Sequence, residues 1–264
     1  MTQFQSLLAD FQKLADPARA VGVSRFFKTG EGQYGEGDLF LWIYVPQVRV
    51  LSKQYKELPL ADIQTLITSP IHEYRLLAVF ILTIQYEKAL TLTKNWWPLL
   101  DKGGERGGFV WDQIISLYLK HKAYINNWDL VDLSAPRLLW RSILEAIITN
   151  EHTWSTGDPA KILHKLSHSA SLRDRRISII STFTLLRAGL YDDTLEIAET
   201  LLTDTHDLIH KAVGRMLREI GKRCKPVEDE FLKKHYKVMP RTMLRYAIEK
   251  YPEEERLRWL KGDM

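Results

Sequence analysis

Cysteine is almost absent from this chain: Cys224 is the only one in 264 residues. A single thiol excludes an internal disulfide framework and any zinc site built from several thiolates. Long apolar runs are missing as well. The longest, Leu39 to Val45 and Leu76 to Leu82, are far too short to cross a bilayer. The first residues, MTQFQSLLADFQKLAD, show no basic segment followed by an apolar one, so no export signal is visible and a reducing, cytoplasmic setting is expected. Glycine is scarce where a turn-rich β protein would need it. Nine of the fourteen lie in Gly22 to Gly37 and Gly103 to Gly108, leaving five from Phe109 onward. Walker A, G-x-S-x-G and protein-kinase signatures do not occur.

What is present is a folded composition, with 45% hydrophobic and 27% charged residues. Lys and Arg number 37 against 33 Asp and Glu, a net charge of +4, so only the distribution of charge can point to a nucleic-acid partner. Asp16-Pro17, Ser69-Pro70 and Asp158-Pro159 each place a capping side chain before proline, the preferred order at a helix start. Between them the apolar pattern is helical, as at Val213, Met216/Leu217 and Ile220, and strand-like alternation is nowhere sustained. A cationic residue opens an apolar helix at Arg75, Arg176 and Lys211, the last two 35 residues apart, with His72-Glu73, Asp174 and Asp207 just before them. Periods of that size point to stacked helix pairs. The expectation is an all-α, HEAT-like helical repeat solenoid: one curved domain over 1–264 with a basic concave face and a loop insertion at 93–110. An irregular helical bundle is the alternative.

Several signals look chemical and read better as local structure. Gly30-x-Gly32-x-x-Gly35 matches a dinucleotide fingerprint, but a helix ending near Lys28 would precede it where a strand is required. His164 with His168, and His206 with His210, each share a helical face without the adjacent glutamate of a zinc hydrolase. Trp96-Trp97, beside the glycine-rich 103–108 tip, reads as a wedge for nucleic acid or as a loop anchor.

Two constellations remain. In Asn126-Asn127-Trp128-Asp129-Leu130-Val131-Asp132, an asparagine N-cap opens a helix on which Trp128 and Asp132 share a face. An aromatic plate beside a carboxylate suits stabilisation of positive charge; a core tryptophan with Asp132 in an ordinary ion pair is the alternative. Residues 205–250 hold twelve Lys and Arg against six acids, and Lys211, Arg215, Arg218 and Lys222 form one helical stripe. Such a stripe could track a row of phosphates, or it could be a solvated face.

Together, SRFFKTGEGQYGEGD (24–38), NNWDLVDLSAP (126–136), RDRRISIISTF (173–183), HKAVGRMLRE (210–219) and MPRTMLRYAIEK (239–250) resemble the AlkD-like DNA alkylation repair glycosylases, which are built of HEAT-like repeats. The resemblance implies hydrolysis of the N-glycosidic bond of N3- and N7-alkylated purines in double-stranded DNA, with no metal or organic cofactor and a monomeric enzyme. It makes Asp132 the catalytic carboxylate, Trp128 the aromatic packed on the lesion nucleotide, and Arg176 the arginine holding a backbone phosphate. Phe26 falls where the family has an aromatic near the duplex, and Lys211, Arg215, Arg218, Lys222 and Arg241 are the expected DNA contacts. Where the family's helix usually reads K-A-x-G-W, this chain has Arg215 in place of the tryptophan. That departure keeps two alternatives open: a non-catalytic DNA-binding relative that recognises damaged or branched duplex, and a protein-binding scaffold.

Overall fold

The computed structural model describes residues 2–16, 18, 27–31, 33–100, 110–149 and 159–263, with the backbone alone at 92–100, 110, 140–149 and 159–160. Among them the chain is all-α: helices joined by short turns, with one isolated bridge, Leu39 to Ile71, and no strand. The helices are α1 (Gln3–Gln12), α2 (Val45–Gln54), α3 (Leu60–Ile67), α4 (His72–Leu100), α5 (Val110–Lys120), α6 (Trp128–Thr149) and α7 (Pro159–Ser167). They continue with α8 (Leu172–Ser181), α9 (Phe183–Arg187), α10 (Asp192–Thr200), α11 (Asp207–Gly221), α12 (Lys225–His235), α13 (Arg241–Ala247) and α14 (Glu253–Lys261). Two compact units are present, Met1–Ser134 and Ala135–Met264, and α6 begins in the first and continues in the second.

The starts follow local chemistry. A capping box closes α1: Gln5 N–H donates to Thr2 Oγ1 at 3.2 Å while Thr2 N–H donates to Gln5 Oε1 at 2.9 Å. Helix α4 opens two residues after Ser69-Pro70, and α7 opens at Pro159. The stretch expected as an insertion at 93–110 is helical to Leu100 and again from Val110, because no glycine interrupts it before Gly103; residues 101–109 lie outside the described residues.

In the first unit α4 is the central helix, packed by α2, α3 and α5. Its apolar run Leu76 to Leu82 is buried all round, which is why it shows no amphipathic period. In the second unit α7 packs on α8, α8 on α11, and α11 on α12 and α13. Helix α11 turns Ile209, Ala212, Val213, Met216, Leu217 and Ile220 into the core. Gly214 lies on the same side for a steric reason: a Cβ there would sit 2.4 Å from the Met243 carbonyl oxygen of α13. Close approach of those two helices needs a glycine.

One acid in this unit is buried with no ion pair among the described residues. Glu228 of α12 lies against Gly221, where a Cβ would meet its carboxyl at 1.6 Å, and its Oε1 has no hydrogen-bond partner among the described residues. Burial pushes its pKa up to about 8; a hydrogen bond from Tyr251 opposes the shift and the Asp229 charge adds to it. A raised carboxyl pKa means the folded chain binds the extra proton, so stability falls as pH rises from about 4.5 to about 8. Glu228→Gln should flatten the urea-unfolding stability curve across that window. It should leave the variant more stable at pH 8.5 by on the order of a few kcal/mol.

Candidate functional site

The Gly-rich turn after Lys28 is shaped by backbone contact. Gly35 N–H donates to the Lys28 carbonyl at 3.1 Å, and a Cβ at 35 would lie 2.5 Å from the Phe27 carbonyl oxygen. Gly35 is therefore needed for close approach of two chain segments, and the turn delivers Asp38 to the interior. Beyond it the 39–44 strap runs along the start of α4. Leu39 N–H donates to the Pro70 carbonyl at 3.0 Å, and His72 N–H donates to the Leu39 carbonyl at 2.8 Å. Glu73 then accepts amides from Leu41 (3.0 Å), Trp42 (2.8 Å) and Ile43 (3.4 Å). This carboxylate holds Trp42 at φ 55°, a left-handed conformation that a bulky residue adopts only when its surroundings impose it.

A charged cluster lies beside the strap. Asp38, His72, Glu73 and Arg75 are all between 2% and 7% exposed. Arg75 Nη2 stands 2.7 Å from Asp38 Oδ1, and Asn126 Nδ2 donates to the same oxygen at 2.7 Å. His72 Nε2 is 2.8 Å from Asp129 Oδ2, and its Nδ1 faces Asp38 Oδ2 at 3.7 Å, an ion-pair contact too long for a hydrogen bond. Burial works against a charged imidazole, but the Asp129 charge and hydrogen bond, with Asp38 behind them, raise the His72 pKa to about 9. For Asp38 burial pulls upward, and the opposing contacts with His72 and Arg75 win, lowering its pKa.

The cluster positions the start of α6. Asp129 Oδ1 accepts from Leu130 N–H at 2.8 Å and Asn127 Oδ1 accepts from Trp128 N–H at 2.9 Å, so two side chains satisfy first-turn amides. Trp128 and Asp132 follow one turn apart, both half-buried. The Phe27 ring lies 6.0 Å from the Trp128 ring, 5.1 Å from Phe40 and 4.9 Å from His72, forming an aromatic group around the imidazole. Pro136 stands four residues after Asp132 and has no N–H to give to the Asp132 carbonyl.

The second unit holds the other expected residues. Arg176 is buried in α8 and donates from Nη1 to the Leu208 carbonyl of α11 at 2.8 Å. On α11 and its C-cap Lys222, Lys211 pairs with Asp207 at 2.6 Å, Arg218 with Glu249, and Lys222 with Glu219 at 2.6 Å, while Arg215 is half-buried. Arg241 donates to the Leu260 carbonyl at 2.8 Å. The cationic stripe thus carries its own carboxylates. The histidine pairs are used locally: His164 faces Asp193 at 3.3 Å and His206 Nδ1 accepts from Leu208 N–H at 3.2 Å. Phe26 lies outside the described residues.

The sequence profile of the family described as DNA alkylation repair enzyme matches residues 7–251. The chain belongs to that family. Among solved structures, one titled "Predicted DNA alkylation repair enzyme from Enterococcus faecalis" aligns with a TM-score of 0.64 at 16% identity, covering 90% of this chain and 97% of that one. At that identity the likeness shows the fold, an all-α helical repeat. No curated protein matches the chain.

Sequence reasoning did not find Asp38, His72, Arg75 and Asp129 as one group. The available signal was a histidine and an arginine three apart, on one helical face, directly before an uninterrupted apolar run. Because the Asp38–Arg75 pair is buried, Asp38→Asn should cost about 3–5 kcal/mol in urea unfolding at pH 7, the range for a buried pair that loses one charge. Lys88→Ala, which breaks the exposed 2.7 Å pair with Glu57, should cost far less, because solvent screens that pair. Equal costs would contradict the assigned burial.

Proposed function

We propose that this chain is a DNA glycosylase that hydrolyses the N-glycosidic bond of cationic N3- and N7-alkylpurines in duplex DNA. The observation that carries the reading is Trp128 and Asp132, a turn apart at the anchored start of α6, in a chain of the DNA alkylation repair family. Alkylation at N3 or N7 gives the purine a positive charge. When the bond from C1′ to the base breaks, its electron pair goes to the ring, which leaves neutral and needs no general acid. The positive charge passes to the sugar, water adds at C1′, and one proton is released.

Asp132 supplies negative charge opposite that developing cation, and Trp128 offers its π face to the cationic nucleotide. Arg176 takes a backbone phosphate through charge-assisted hydrogen bonds. Lys211, Arg215, Arg218, Lys222 and Arg241 supply further phosphate contacts, exchanging carboxylate partners for phosphate where they have them. No metal or organic cofactor is needed, because the leaving base is already activated. Arg215 favours a second reading, a non-catalytic binder of damaged or branched DNA. A guanidinium at the family's tryptophan position repels a cationic base in a poorly solvated site.

Single-turnover base release from duplex carrying N7-methylguanine separates the readings. Asp132→Asn should slow release by roughly 10²–10³ and leave duplex affinity equal or slightly tighter. An unchanged rate removes Asp132 from the chemistry. Lys211→Ala with Lys222→Ala should flatten the log–log salt dependence of duplex binding by about two units. Binding insensitive to both changes would favour the protein scaffold.

A further inference from the structure

We propose that His72 is a positioning residue whose imidazolium, held between Asp38 and Asp129, sets the first turn of α6 and with it the Trp128 ring. The proposal deepens the reading of Trp128 and Asp132 above and rests on it for its catalytic consequence. Its structural part stands independently.

Both ring nitrogens of His72 face carboxylates, Nε2 toward Asp129 at 2.8 Å and Nδ1 toward Asp38 at 3.7 Å. A neutral imidazole would turn a lone pair toward one of them, so the arrangement favours N–H at both positions. Arg75, on the same helix, is the other cation facing Asp38, and Glu73, the third carboxylate of the cluster, is taken up by the strap amides. His72 reaches Trp128 by two routes. Through Asp129 it grips the residue next in the chain, whose other oxygen accepts the Leu130 amide. Through Phe27 it touches a ring that also faces the Trp128 indole. Loss of the imidazolium charge removes one of the forces that hold Asp129 in the first turn of α6.

The consequence is a pH response read at Trp128 itself. The His72 pKa of about 9 lies above the ordinary 6.5. Its stabilising contribution is therefore complete below 6.5 and is lost as pH rises through about 9.

The test follows the indole N–H resonance of Trp128 in the full chain, assigned by its absence in Trp128→Phe, from pH 6 to 10. In wild type it should move with one titration near pH 9. In His72→Gln it should be displaced at pH 7 and flat above it. Asp129→Asn, which keeps the side-chain shape, should bring the titration down toward 6.5 and keeps the proposal testable should His72→Gln fail to fold. In the base-release assay His72→Gln should slow the rate by about tenfold to a hundredfold with duplex affinity unchanged, the scale of a misplaced reacting group. A wild type that releases no base would sink the glycosylase reading, while the indole titration would still decide the role of His72. An indole resonance indifferent to pH and to both variants would overturn the proposal.

Discussion

Taking Asp38, His72 and Arg75 out of water has a large desolvation cost, and only mutual pairing makes it tolerable. That requirement ties together three segments distant in sequence. Asp38 arrives on the glycine turn, His72 and Arg75 lie in the first turn of α4, and Asn126 and Asp129 flank the start of α6. None of the three can shift without leaving a buried charge exposed to the others. Glu73 extends the same constraint to the 39–44 strap by gathering three of its amides. The positive φ of Trp42 is one local cost of that arrangement.

Such a cluster is a rigid support for a polar site. The first turn of a helix presents unpaired amides, and Asn127 and Asp129 satisfy two of them from the side-chain direction. Trp128 and Asp132 then rise from a turn whose position is fixed by charge as well as by packing. The proposed roles of Trp128 and Asp132 fit such a support, since a carboxylate that stabilises a forming cation must already point at it. In the second unit Arg176 has a comparable local anchor, the Leu208 carbonyl at the head of α11.

Much of the fold was legible because helix starts, apolar periods and missing glycines are local properties. The apolar face of α11 and the opening of α6 after the Asn126-Asn127 pair fall where the sequence places them. The repeat of Arg75, Arg176 and Lys211 also has a physical basis. Arg75 reaches Asp38 on the glycine turn and Arg176 reaches the Leu208 carbonyl of α11, whereas the Lys211 pair with Asp207 lies within one helix. What sequence could not supply was which acids become buried. Asp38 sits just after glycines that match a dinucleotide fingerprint, and Asp129 is overshadowed by Asp132 three residues on. One pairing of the α11 stripe was equally hidden, because Glu249 reaches Arg218 across 31 residues. The two apolar runs of similar length took different fates for a similar reason. Leu76 to Leu82 became the central helix, whereas Leu39 to Val45 became a strap held by a carboxylate from the next helix.

The central claim concerns which bond the protein breaks. Purified protein incubated with duplex carrying N7-methylguanine, with free bases and remaining DNA resolved by chromatography, tests it directly. The account predicts free 7-methylguanine and an equal amount of abasic sites, formed faster than by spontaneous depurination. Guanine restored within intact DNA, or DNA bound with its methylated base still in place, would contradict it.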